Sequence, residues 1–448
     1  MEPGAGGSGD SLKGRSLLAG IGRLDPLKTY RGQKILSMAA AVGGRPLPAP
    51  FTPELAVDLF YAFYLPVPMI DPEATSLKVM SEQDLARLSI LSALLSDRRF
   101  QRIKALTTAD YTTSIVAAAS LAERLSRLLA TSSSSGRGGE GGGLDKSIES
   151  AVSSALKQVE HDAKVAKDIK SLVARTGAGN ASHLSYGDDP EAILRLARKT
   201  NVERVLKLVL GVRVSPFVDS TVTRRYSRGW LGGLEYGSDL ERIHYSELAL
   251  PEEVFLAKMA NSRLLLYEKE LPVSRGPIYV LLDKSGSMIG EKIDWARAVA
   301  LALMEKSLRE GRPFYVRFFD STVYPLLRVG RRSTPSDVVR IMDYLATVKA
   351  SGGTNITNAI RAAAGDLASS VSGDKVSHVV LITDGEDKID TREVEHSKRV
   401  AQMSIISVMI QGHNHYLKRV SDRYMRVKSL SGRTLLEVVD FTAPSEGG

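Results

Sequence analysis

The sequence predicts a multi-domain chain: an all-α amino-terminal region, then an α/β region whose sheet is mostly parallel with one antiparallel edge strand and helices on both faces. Three observations lead there. Up to about residue 210 apolar residues recur at helical spacing and nothing alternates like a strand. After Pro272 the period changes, and apolar runs of five or six residues alternate with amphipathic helices, the pattern of a sheet buried on both faces. Val323–Leu327 follows Phe314–Phe319 after a tight turn at Asp320-Ser321, too short for a crossover, so that pair reads as an antiparallel hairpin at the edge.

The elements follow in order. Residues 1–44 open with a Gly-rich stretch and read as a flexible lead-in; residues 45–210 read as a helical domain. Thr52-Pro53-Glu54 gives an N-cap and a proline at the first helical position, opening a helix that stops before Pro66. Ser81 and Asp84 form a capping-box start for Leu85 to Leu95, and Ala109 to Ala130 is a long amphipathic run. Residues 131–143, rich in Ser and Gly, have no apolar side chain to offset their backbone entropy and read as a linker. A long helix follows over about 144–175 with a narrow apolar stripe through Ile148, Val152, Leu156, Val159, Val165 and Ile169. Pro190 to Lys199 and Asn201 to Leu210 read as shorter helices. Residues 211–272 read as an irregular connecting region with one helix over 251–268, and 273–448 as the α/β domain.

Composition narrows the function classes. The chain has 448 residues, 43% hydrophobic, and no cysteine, which excludes a disulfide framework, thiolate zinc sites and a cysteine nucleophile. The lack of disulfides favours the cytoplasm. No stretch approaches the roughly 20 apolar residues of a membrane helix. The net charge of +9 admits a polyanion partner, for which Arg224, Arg225 and Arg228 beside Tyr226 and Trp230 are the candidate contacts. No GxxxxGK[ST] loop is present, so nucleotide hydrolysis is not expected.

The chemistry gathers at the ends of the predicted strands. Asp283-Lys284-Ser285-Gly286-Ser287 sits at the carboxyl end of Ile278–Leu282, where open α/β sheets bind ligands. Gly352-Gly353-Thr354-Asn355 lies before a helix, and Thr383-Asp384-Gly385 ends another hydrophobic strand. Two carboxylates and three hydroxyls make a hard oxygen donor set, suited to Mg²⁺, Mn²⁺ or Ca²⁺ and wrong for zinc or copper. The ordered triple DxSxS, GGT, TDG resembles the metal-ion-dependent adhesion site of von Willebrand factor A domains, which implies a Rossmann-like α/β fold. By that resemblance Asp283, Ser285, Ser287, Thr354 and Asp384 hold the cation, some through water, and a partner's carboxylate fills the remaining position. Gly286, Gly353, Gly385 and Asp320 are expected behind the ligands. Helix capping would explain the two aspartates but not the paired serines or the threonine. His413 and His415 read as a solvated pair.

The stretch before this domain, Gly232-Gly233-Leu234, Ser238-Asp239-Leu240-Glu241-Arg242, Ser246 to Pro251 and Arg275-Gly276-Pro277, resembles the ViaA/CoxE-like A-domain proteins. That resemblance implies a non-enzymatic adaptor of a MoxR-type AAA+ ATPase, acting in protein-complex maturation or metal-cofactor insertion. Two alternatives belong to other classes. One is an RNA-binding protein resembling the Ro-type ribonucleoproteins, favoured by the basic charge but lacking a fixed-period helical repeat. The other is a metal-dependent hydrolase with Asp283 as nucleophile, which wants an acid where this chain has Ser285.

Overall fold

The computed structural model of the chain describes residues 14–72, 81–134, 142–177, 189–212, 224–271, 276–330, 332–370 and 376–442. The chain folds as two units. One comprises residues 1–212 with 332–349, the other residues 213–331 with 350–448.

The first unit is helical, as its periodicity predicts. Helices run over Pro26–Gly43, Pro53–Tyr64, Glu82–Ser96, Arg98–Thr107, Tyr111–Ser134, Gly142–Arg175, Pro190–Ala197 and Val202–Leu210. The cap signals act as read: Thr52 accepts from Leu55 N–H, and Ser81 accepts from Asp84 N–H. The long helix is a core element, because Val152, Leu156, Val159, Val165 and Ile169 are fully buried. Its principal neighbour is the Tyr111–Ser134 helix, so it forms a packed hairpin arm rather than an exposed one.

Three expectations are corrected here. Residues 14–43 are not a flexible lead-in. Leu17 and Leu18 are fully buried, Ser16 Oγ and Leu17 N–H donate to Asp58 Oδ1, and Asp25 caps a helix begun by Pro26. Of the Ser/Gly tract, residues 131–134 continue the preceding helix and the next helix already begins at Gly142; the remainder lies outside the described residues. The boundary at 273 also fails to enclose one compact domain. The Pro335–Thr347 helix belongs to the helical unit, where Val338, Ile341, Met342 and Leu345 are buried. There Lys199 Nζ pairs with Asp343 Oδ1 at 2.7 Å and Asn201 Nδ2 donates to Ala346 O at 3.0 Å.

The second unit holds two sheets. Residues expected as irregular form strand β1 (Arg224–Gly237), antiparallel to β2 (Leu264–Leu271). The predicted 251–268 helix ends at Ala260, since Ser262 takes a left-handed φ of 52° and the chain reverses. Beyond it Leu264 and Leu266 are buried in strand alternation. Arg224, Arg225 and Arg228 lie in β1; their side chains fall outside the described residues.

The larger sheet contains β3 (Ile278–Asp283), β4 (Phe314–Phe319), β5 (Leu327–Val329), β6 (Ser377–Thr383), β7 (Met403–Ile410) and β8 (Arg423–Val427), in the order β5-β4-β3-β6-β7-β8. All neighbours run parallel except β4 and β5. The expected hairpin is present, with its second strand shifted to Leu327–Val329 and only a single bridge, Phe319 to Val323, nearer the turn. Strand β8 was not anticipated. One face of the sheet packs Tyr279, Leu281, Val379, Leu381 and Ile405 against the helices Ile356–Ser370, Thr391–Val400 and His415–Val420. The Glu291–Arg309 helix contacts β3 and β4 and buries Trp295 completely; Trp295 Nε1 donates to Ser431 O ahead of the Gly432–Phe441 helix.

Because β3 pairs with β4 on one side and β6 on the other, the strand order reverses at the β3–β6 junction. Such a switch point opens a crevice at the carboxyl ends of the strands. Asp283 ends β3 and Thr383 ends β6, so two of the three motif loops start there.

Candidate metal centre

The fold brings the three motif loops together. Ser285 Oγ lies 3.1 Å from Ser287 Oγ, which donates to Asp384 Oδ1 at 2.7 Å. Gly286 N–H donates to Gly352 O at 3.0 Å, tying the first loop to the second. Thr354 closes on the third loop: a Cβ on Gly385 would sit 3.1 Å from Thr354 Oγ1 and 3.0 Å from its methyl, a fit that any side chain at 385 would crowd. All five predicted ligands thus gather at one end of the sheet.

Asp283 is fully buried. Its Oδ1 accepts from Ser285 N–H at 2.8 Å and its Oδ2 accepts from Thr383 Oγ1. Burial pushes its carboxyl above the usual carboxylate value; the bonds from Thr383 and Ser285 pull the other way, and the Asp384 charge adds to the rise. Burying a carboxylate is costly, a cost that a bound cation would offset. Thr383 was quoted in the motif but given no role. Its hydroxyl donates to Asp283 and accepts from Gly385 N–H at 2.9 Å, so it fixes the carboxylate and the third loop together.

Asp320 supports the second loop and does not itself meet the predicted ligands. Its Oδ2 takes Lys284 Nζ at 2.8 Å and Tyr324 Oη at 2.9 Å, and its backbone O accepts from Asn355 N–H at 2.9 Å. Gly352, at φ 91°, passes so close that a Cβ there would meet Asp320 Oδ2 at 2.9 Å. Lys284, the residue inside the DxSxS run, is buried, and it also donates to Ser351 O and Oγ. Burial opposes its charge, but Asp320 and Tyr324 outweigh this and push its pKa up. Asp320 is likewise desolvated, yet Lys284 and the Thr322 N–H hold its carboxyl below the ordinary value.

Two further residues escaped the sequence reading. Asp387 accepts from Ile356 N–H at 2.8 Å and so caps the helix that follows Thr354. Lys292 donates to Asp384 Oδ2 at 2.6 Å. The ammonium therefore offsets part of the negative charge of the two aspartates. Neither residue belongs to a motif; Lys292 reveals itself only through its place in the first turn of the helix after Ser287. A cleft of about 310 Å³ opens beside Thr354, bounded by Asn355, Arg361, Asp387, Lys388 and Glu393. His413 and His415 stay at the surface, their ring nitrogens 3.2 Å apart.

Among the described residues no three His, Cys, Asp or Glu cluster as metal ligands. The donors that do converge, two carboxylates and three hydroxyls, fit a hard divalent cation with water in its shell.

Residues 276–421 match the family model described as von Willebrand factor type A domain. The chain is similar to two uncharacterised proteins of Methanocaldococcus jannaschii. One is 24% identical over 405 residues, spanning 85% of this chain and 89% of the relative; the other is 26% identical over 378 residues, spanning 81% and 89%. A match of 405 residues reaches well beyond the A-type segment into the helical region. Among solved structures, the chain is similar to a von Willebrand factor type A protein from Catenulispora acidiphila, with 22% identity, 40% of this chain and 42% of that chain covered, and a TM-score of 0.31. It is also similar to proximal thread matrix protein 1 from the mussel byssus with a zinc-occupied MIDAS motif, with 21% identity, 37% and 47% covered, and a TM-score of 0.31. Over residues 276–421 the carboxy-terminal part of the chain is thus similar to von Willebrand factor type A domains.

Proposed function

We propose that the chain is a non-enzymatic, metal-dependent binding protein. Asp283, Ser285, Ser287, Thr354 and Asp384 hold a divalent cation, Mg²⁺ in the first instance and Mn²⁺ or Ca²⁺ as alternatives, and the site takes up a carboxylate from a protein partner. The convergence of five oxygen donors from three loops at the switch point of the sheet carries this reading. When bound, the cation supplies an electropositive point that attracts a carboxylate. The chain's own residues supply the rest: Thr383 fixes Asp283, Gly385 leaves room for Thr354, and Asp320 with Lys284 braces the Gly352 turn.

The partner is a MoxR-type AAA+ ATPase, and the helical unit engages the second party, in protein-complex maturation or metal-cofactor insertion in the cytoplasm. The resemblance of the segment between Gly232 and Pro277 to ViaA/CoxE-like proteins supports this assignment. Among the described residues no helix is long and apolar enough to cross a membrane.

The test uses the full chain as bait in native lysate, as wild type and as an Asp283→Ala, Ser285→Ala double variant, each with Mg²⁺ or EDTA. An AAA+ ATPase retained by wild type with metal alone supports the reading. Retention indifferent to metal and mutation removes the metal site from the ATPase's grip. Salt-sensitive recovery of RNA instead would favour a nucleic-acid role.

A further inference from the structure

We infer that Lys292 is a built-in competitor for the cation: its ammonium neutralises Asp384 in the metal-free protein and sets how tightly the site takes a divalent ion. The inference rests on the metal site proposed above and assigns one residue's part in it.

Both oxygens of Asp384 are engaged. Oδ1 accepts from Ser287 Oγ at 2.7 Å and Oδ2 from Lys292 Nζ at 2.6 Å. The Asp384 side chain is 3% exposed and that of Lys292 28%, so the pair is shielded on the carboxylate side and open on the ammonium side. Lys292 can therefore swing into solvent, whereas Asp384 cannot.

Helix geometry argues that this placement is not incidental. Lys292 is the second residue of the Glu291–Arg309 helix, in its first turn. The amino end of a helix carries partial positive charge and disfavours a cation there. The attraction of Asp384 overcomes that cost. A divalent ion bound through Asp384 competes with the ammonium for the charge of one carboxylate, and the repulsion between the two cations opposes holding both there. Releasing Lys292 leaves its charge beside the bound ion, within reach of an incoming carboxylate. The other nearby ammonium, Lys284, cannot play this part, being buried and committed to Asp320 and Ser351.

The experiment is a Mn²⁺ titration of the full chain by calorimetry and by electron paramagnetic resonance of free Mn²⁺. Wild type is compared with Lys292→Met, Lys292→Gln and Asp384→Asn. Removing the ammonium is expected to tighten Mn²⁺ binding about tenfold in both lysine variants, equivalent to about 1.4 kcal/mol. It should also enlarge the thermal shift that saturating Mn²⁺ produces, because the metal-free variants keep Asp384 uncompensated. The gain should vanish in Lys292→Met, Asp384→Asn. Affinity in both lysine variants within twofold of wild type, or weaker, overturns the competitor role while leaving the metal site intact. Absence of Mn²⁺ binding from wild type and both lysine variants overturns the metal reading and this inference together. Near-ultraviolet circular dichroism, matched to wild type, checks that each variant is folded.

Discussion

Replacing Asp283 by Asn should reverse the stability order of the two proteins according to whether divalent metal is present. The isosteric amide can keep its oxygen on Ser285 N–H, while the Thr383 hydroxyl turns to accept from the new amino group. That exchange costs on the order of one net hydrogen bond, about 1 kcal/mol. Against it stands relief of a fully buried carboxylate that burial and Asp384 both push toward the neutral form. In EDTA the variant should therefore match wild type to within about 1 kcal/mol or exceed it. With metal at a hundred times its dissociation constant, wild type gains about 2.7 kcal/mol by mass action and the variant gains nothing. Both tryptophans of the chain, Trp230 and Trp295, fall within residues 213–331, so urea unfolding followed by tryptophan fluorescence reports the second unit selectively. Two results would refute the reasoning. A loss of about 3 kcal/mol or more in EDTA would make the charge itself structural, and equal stabilisation of both proteins by Mg²⁺ would remove Asp283 from the ligand set.

Other outcomes follow from the same contacts. Thr383→Val removes the donor to Asp283 and the acceptor of Gly385 N–H, so Mn²⁺ affinity should fall about 10–100-fold in a calorimetric titration while the sheet stays intact by far-ultraviolet circular dichroism. In the helical unit, Arg87 donates to the fully buried Asp58 at 2.8 Å; Arg87→Met should cost about 3–5 kcal/mol in urea unfolding, and adding Asp58→Leu should recover much of it. Burial, and then its bond to Asp366, push the Tyr279 hydroxyl above its ordinary value of 10.0. A phenol held neutral in the fold retains its proton where the unfolded chain has lost it, so stability is present below pH 10 and falls as pH rises beyond it. Unfolding curves between pH 9 and 11 should show that decline in wild type and a shallower one in Tyr279→Phe.

What the sequence disclosed depended on how local the signal was. Strands β3, β6 and β7 are central, buried on both faces and apolar throughout, so their runs stand out. Strand β8, Arg423–Val427, buries only Val427 and carries two arginines, as an edge strand should, which left no run to read. Strand β1 contains Gly229, Gly232, Gly233 and Gly237, so its pairing with Leu264–Leu271 is specified by the partner strand and not by its own alternation. The residues proposed as metal ligands stand out in the sequence because each loop carries its oxygen donors within a few residues. Lys292, Asp387 and the Lys284–Asp320 pair were not, because each acts on a residue that only the folded chain brings near. Ser16 and Leu17 were misread for the same reason: their anchor, Asp58, lies 42 and 41 positions away.

The excursion of residues 332–349 into the helical unit bears on how the protein could be cut or built. The backbone crosses between units at three points, near 212, 331 and 349, so no single cleavage separates them. A fragment beginning at residue 213 would carry Val338, Ile341, Met342 and Leu345 without the helices that shelter them, each forfeiting about 1.5–3 kcal/mol of burial. A fragment ending at 212 would lack a helix from its own core. The third crossing, at Lys349, stands three residues before Gly352 and five before Thr354, so the stretch that completes the helical core runs directly into the Gly352–Thr354 loop. Each unit is therefore assembled from two separate stretches of one chain, and an evolutionary exchange of either would have to replace both stretches at once.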